Sequence, residues 1–172
     1  MELTKDLERR NLPAKPKHEE ELSHLIRRWF NKDLSAKTGI IVNCEVKVER
    51  FGRAKLDIKI EAISKDRFAP RRIALIVEVK RCSHSDVATA SKTQLVDGYL
   101  VEQGLTHGIY LVGWYDSKRG PAAKWSSRED AGQCVREWAE ASSRGEHTAK
   151  GFMLDCRLPI LMAPSQRAKV QS

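Results

Sequence analysis

A chain of 172 residues with 41% hydrophobic content is long enough for one compact domain with its own core and leaves little room for a second. No apolar run approaches the roughly 20 residues a bilayer demands, and the N-terminal MELTKDLERRNL is charged throughout, unlike a secretory signal; a soluble, intracellular (cytoplasmic) protein is expected, with no membrane partner. A net charge of +8 and a pI near 9.5 favour a polyanionic partner, although the same excess would also serve solubility or docking on an acidic surface.

Residues 1–17 are polar and punctuated by proline (NLPAKPK), so they read as an arm or linker ahead of a domain spanning 18–163, with 164–172 as a loose tail. From Glu19 onward, Leu22, Leu25, Ile26, Trp29 and Phe30 recur at helical spacing, predicting an amphipathic helix that ends around 31–35, with Trp29 in the core. GIIVNCEVKVERFG predicts a strand turning at Gly52. RAKLDIKIEAIS alternates, putting Leu56, Ile58 and Ile60 on one face and Lys55, Asp57, Lys59 and Glu61 on the other. RIALIVEVKR has the continuous apolar run of a strand covered on both faces. A helix over about 86–103 follows, capped by Ser85 or Asp86 and closed by Gly104. HGIYLVGWY is another buried strand; Ser127 to Asp130 open a helix through about Ser142 with Trp138 on its apolar side, and GFMLDCRLPILM adds a last strand. This order predicts an α/β sandwich around a mixed sheet.

Cys44, Cys82, Cys134 and Cys156 are scattered without a CxxC pair, and the histidines of HEEELSH stand six apart rather than four, so neither a zinc ribbon nor a zinc-protease helix is indicated. Reduced thiols are expected.

The chemistry concentrates in ALIVEVKR. Residues two apart on a strand point the same way, so Glu78 and Lys80 emerge together while Val77 and Val79 face the other layer. Desolvating either ion alone costs several kcal/mol or more, so something must compensate. If Asp57 projects onto the same side, two carboxylates and an amine converge, a set able to bind a hard divalent cation and align a water for attack on phosphorus.

Asp57, then Glu78-Val79-Lys80 at the end of an apolar strand, then a helix containing Gln94-Leu95-Val96-Asp97-Gly98-Tyr99-Leu100, resembles the PD-(D/E)xK nuclease superfamily over residues 19–115. The resemblance implies a restriction-endonuclease-like three-layer sandwich with a central mixed sheet, and a Mg²⁺-dependent endonuclease, Mn²⁺ substituting. Asp57, Glu78 and the carbonyl of Val79 would hold the metal; Lys80 would orient the attacking water. It further implies a glutamate from the first helix, for which Glu19 lies nearest the apolar stripe, and a glutamine, Gln94, aligned with Val87, Ala90 and Val101. The sequence departs from the family pattern at Leu56, where the family name has proline, and at Tyr99, five residues after Gln94 instead of four. On an α-helix that spacing puts Tyr99 on another face, so no role is carried to it.

An ExK tripeptide also arises as a plain same-face salt bridge, Asp57 could be a solvated strand residue with Glu61 its substitute, and Glu19 gains from the helix dipole without any metal. Arg53, Lys55, Arg71, Arg72, Arg81, Lys118 and Arg119, with Arg50 and Lys124, are candidates for a phosphate-binding surface, and Trp125 for base stacking or for pinning its loop. Nucleic acid is the expected partner, DNA favoured over RNA. An RNA- or tRNA-cleaving toxin domain held by an inhibitor protein, a domain cut from a larger parent protein, a homodimer, and an inactive binding module of the same fold remain open alternatives.

Overall fold

The computed structural model describes residues 19–34, 40–47, 55–63, 72–115 and 124–156. Five strands, β1 (Ile40–Lys47), β2 (Lys55–Ile63), β3 (Arg72–Arg81), β4 (His107–Trp114) and β5 (Thr148–Asp155), form one sheet in chain order. The first three pair antiparallel and the last three parallel, which makes the sheet mixed. Parallel neighbours need a crossover, and each of the two crossovers carries a helix.

Alternation along the strands divides the core in two. On one face, Leu22 and Ile26 of α1 (Glu19–Leu34) pack on Val42, Ile58, Val77 and Val79. On the other, Ile76, Tyr110 and Val112 are covered by Leu95, Val96 and Leu100 from the first crossover and by Ala131, Val135 and Ala139 of α2 (Arg128–Ser142). The chain is therefore α/β with helices on both faces of the sheet. Trp29 is 43% exposed, against the expectation of a core residue. The buried line of α1 runs at four-residue steps through Leu22 and Ile26 to Phe30, and Trp29 falls on its flank.

The crossover between β3 and β4 differs most from expectation. Ser85 and Asp86 bond to each other instead of capping a helix, and turns lead to a π-helix over Ser91–Leu100, extended by an α-helical turn, Val101–Gln103. Gly104 closes it at φ +60°, the left-handed conformation glycine adopts freely. The five-residue step is visible in side chains and backbone: Lys92 pairs with Asp97 at 2.5 Å, and the Val101 N–H reaches the carbonyl of Val96. Val101, expected in the buried stripe, is 45% exposed because that step rotates it outward.

Ser127 caps α2 as anticipated, its hydroxyl accepting the Asp130 N–H at 3.1 Å. Trp125 lies between Trp114 and Trp138, ring centroids 6.0 and 5.7 Å away, and so pins the segment before α2 to the core. β5 begins at Thr148 rather than Gly151, since parallel pairing with His107 to Ile109 recruits three more residues; its expected extension to Met162, the 1–17 arm and the 164–172 tail lie outside the described residues. Among the described residues no helix is long and apolar enough to cross a membrane. Cys82, Cys134 and Cys156 are free thiols.

Candidate active site

Glu78 and Lys80 leave β3 on the same side, and both are buried, at 1% and 5% exposure. Lys80 Nζ is 2.6 Å from Glu78 Oε1. Ile58 stands opposite Val77 in the antiparallel β2–β3 pair, so Asp57 comes opposite Glu78 and on its side of the sheet. There the Val79 N–H donates to Asp57 Oδ2 at 2.7 Å. Leu22 of α1 packs beside Gly113, near the end of β4, which brings the first turn of α1 to the same end of the sheet. From that turn Glu19 Oε1 accepts from Lys80 Nζ at 2.9 Å. One ammonium thus joins two acids, and a third acid stands opposite one of them in the β2–β3 register.

The electrostatics follow from this crowding. Burial, then the charge of Asp57, pushes the Glu78 carboxyl up to about 8 against the pull of Lys80. Asp57 rises to about 6, again through burial, opposed by the Val79 amide and Lys80. For Lys80 burial acts downward and is the largest single influence, but Glu78, Glu19 and Asp57 together outweigh it and hold the ammonium above its ordinary range. The Asp57–Glu78 pair therefore retains one proton, shared as a unit, at neutral pH.

Two tyrosines that sequence reasoning left aside border the cluster. Tyr99 is 6% exposed, and burial followed by the charges of Glu78 and Asp57 raises its hydroxyl. The π-helical step turns Tyr99 toward the side of Gln94, correcting the expectation of a different face. Tyr110 pairs with Glu78 in the β3–β4 register, and its hydroxyl donates to the Val87 carbonyl at 2.6 Å, walling the acids off from the core. The even-numbered face that HGIYLVGWY shares with Glu78 was its available signal. Gln94 itself is half-buried.

The basic candidates separate. Arg81 ends β3 beside the cluster, half-buried, its Nε lacking a hydrogen bond. Arg72 opens β3 at the opposite end, eight residues and about 26 Å from Lys80 along the strand, and its guanidinium bonds Glu61; it does not belong to the site. Glu61, held also by Lys59 at 3.3 Å, is excluded as a substitute for Asp57. Lys124 is exposed. Lys55 begins β2, at the end where Asp57 lies. Arg50, Arg53, Arg71, Lys118 and Arg119 lie outside the described residues.

A family model described as Domain of unknown function (DUF8371) matches residues 2–117. The chain belongs to this family. The DUF8371 match takes in α1, β1 to β4 and the π-helix, so Glu19, Asp57, Glu78, Lys80, Gln94 and Tyr99 all fall inside it, while α2 and β5 lie beyond. No curated protein and no solved structure matches the chain.

The DUF8371 site can be tested for a divalent cation by its donors. Asp57, Glu78 and Glu19 offer hard carboxylate oxygens, and Glu78 Oε2 and Glu19 Oε2 are buried with no hydrogen-bond partner. Such orphaned acceptors are costly unless a cation, a proton or a water completes them. Among the described residues no group of three or more His, Cys, Asp or Glu side chains stands ready-made around an ion. Lys80 is bonded between two of the three acids, and the donor chemistry of the cluster, hard carboxylate oxygens, is of the kind a divalent cation takes.

Proposed function

We propose that the protein is a divalent-metal-dependent nuclease of restriction-endonuclease-like fold that hydrolyses phosphodiester bonds, with DNA the favoured substrate. The observation that carries this reading is the convergence of Asp57, Glu78, Lys80 and Glu19 at one end of a mixed sheet, with two acid oxygens unpartnered. No structural need explains two further carboxylates gathered about a buried acid and its ammonium, since an isolated buried ion pair seldom stabilises a fold relative to apolar residues.

Asp57, Glu78 and Glu19, with the carbonyl of Val79, would hold Mg²⁺ or Mn²⁺. When bound, the ion supplies positive charge at the scissile phosphate and eases ionisation of water. Lys80 presents its ammonium toward the phosphate oxygens and orients the attacking water. In-line attack breaks the P–O3′ bond and leaves a 5′-phosphate and a 3′-hydroxyl. Gln94 offers an amide to water or phosphate. Arg81, at the end of β3 that carries Lys80, supplies sequence-independent attraction for the backbone.

Plasmid DNA, single-stranded DNA and tRNA incubated with wild type, Lys80→Ala and Glu78→Ala, in Mg²⁺ or Mn²⁺ and in EDTA, test the reading. Plasmid nicking that needs the metal and disappears in both variants at unchanged folding is the expected result. Equal activity in all three proteins rejects it, and exclusive cleavage of tRNA moves the substrate to RNA.

A further inference from the structure

The bonding of Lys80 has a meaning beyond orienting water. Its Nζ is held at 2.6 Å by Glu78 and at 2.9 Å by Glu19, with the side chain 6% exposed, and these bonds use only the Oε1 atom of each acid. Both Oε2 atoms stay buried and unbonded. A side chain directed only at solvent phosphate would have no reason to be locked between two acids, and acids directed only at a lysine would not leave half their oxygens orphaned in the interior.

We propose that Lys80 is an internal counter-ion that keeps the acid cluster assembled without metal and sets how tightly a divalent cation binds there. The proposal rests on the metal-dependent reading above and concerns the regulation of that same site. Three acids and one ammonium leave net negative charge for a divalent ion to neutralise, while the ammonium's own charge opposes that ion. Lys80 therefore lowers metal affinity at the same time as it preserves the geometry the metal uses. Binding stays reversible, and the cluster does not fly apart when the ion leaves. Removing the charge while keeping the stem, as in Lys80→Met, should loosen the metal-free protein and tighten the metal.

Mn²⁺ titration by calorimetry and thermal melts with and without Mn²⁺ test this on wild type, Lys80→Met, Lys80→Gln and Asp57→Asn. The expected result is a lower metal-free Tm in Lys80→Met, a larger Mn²⁺-induced rise in Tm than in wild type, and a Kd for Mn²⁺ lower by about tenfold, the scale set by a like charge a few ångströms from the ion. Asp57→Asn should bind Mn²⁺ weakly or not at all. Wild-type binding that Asp57→Asn abolishes, with Lys80→Met and Lys80→Gln binding no more tightly than wild type, overturns the proposal and leaves the nuclease reading standing. No Mn²⁺ binding by any of the proteins overturns both. If neither Lys80 variant melts cooperatively without metal, recovery of a cooperative transition on adding Mn²⁺ supports the proposal and failure to recover counts against it.

Discussion

Glu78→Gln isolates the electrostatic cost of the site from its packing. Glutamine keeps the volume of a side chain that is 1% exposed, so no cavity opens, and its amide oxygen still accepts from Lys80, which also retains Glu19. What disappears is a titration. The Glu78 carboxyl rises from an ordinary 4.5 to about 8 in the fold, so between those values the native protein binds the proton and the unfolded chain does not. The sign follows from linkage: this contribution is complete below about pH 4.5 and is lost as pH climbs through about 8. At about 1.4 kcal/mol per pH unit for one proton, wild type gives up on the order of 4 kcal/mol from pH 5 to pH 8 through this group. Asp57 adds a loss of the same sign over a lower window in both proteins. Urea unfolding in EDTA at pH 5, 6, 7 and 8 measures it, provided the m-value is unchanged. The stability of Glu78→Gln relative to wild type should grow steadily with pH. Parallel curves, offset equally at every pH, would refute the reasoning and mean that Glu78 remains ionised throughout.

Other substitutions probe the frame around the site. A Cβ on Gly151 would stand 2.3 Å from the carbonyl oxygen of Val135, and backbone cannot yield as a side-chain tip can; Gly151→Ala should cost about 1–3 kcal/mol, read as a fall in Tm of several degrees with the fold retained by circular dichroism. Arg72→Ala removes an exposed partner of Glu61 far from Lys80, so stability should change by less than about 1 kcal/mol, and cleavage and its salt dependence should match wild type.

Most of the site was legible because it follows from the two-residue period of strands. That Glu78 and Lys80 share a side needs only alternation, and Asp57 joins them as soon as β2 is the antiparallel neighbour of β3, since opposed residues then face the same way. Glu19 could be chosen by its nearness to the line of Leu22 and Ile26, the side that packs on the sheet. Arg72, a candidate for a phosphate-binding surface that lies far from Lys80, shows the complementary limit. Composition and local pattern place a residue on a face but not at an end of the sheet; which end a strand begins at depends on the long-range order β1-β2-β3, and that order puts the first residue of β3 opposite its last. Trp29 failed on a finer point, because an apolar residue at the flank of a helical stripe and one at its centre have nearly the same spacing.

The helix carrying Gln94 and Tyr99 shows how a period can be misread when only two are considered. At about 100° per residue, the buried positions Ser91, Leu95, Val96, Tyr99 and Leu100 would spread over roughly 180° of an α-helix, too wide a face to bury against β3 and β4 alone. A five-residue step stacks Val96 on Ser91 and Leu100 on Leu95, narrowing the stripe, and the apolar burial gained offsets the poorer backbone geometry that makes π-helices rare. The ion pair Lys92–Asp97 repeats the same step on the exposed side. Gln94 and Tyr99 obey it too, so the residue in excess between them is absorbed by the backbone, and the tyrosine arrives beside the acids instead of turning away. The apolar pair Leu95-Val96, followed four residues on by Tyr99-Leu100, is the ordinary α-helical pattern, so the change of winding next to the site left no mark in the apolar spacing and shows only in the tertiary packing.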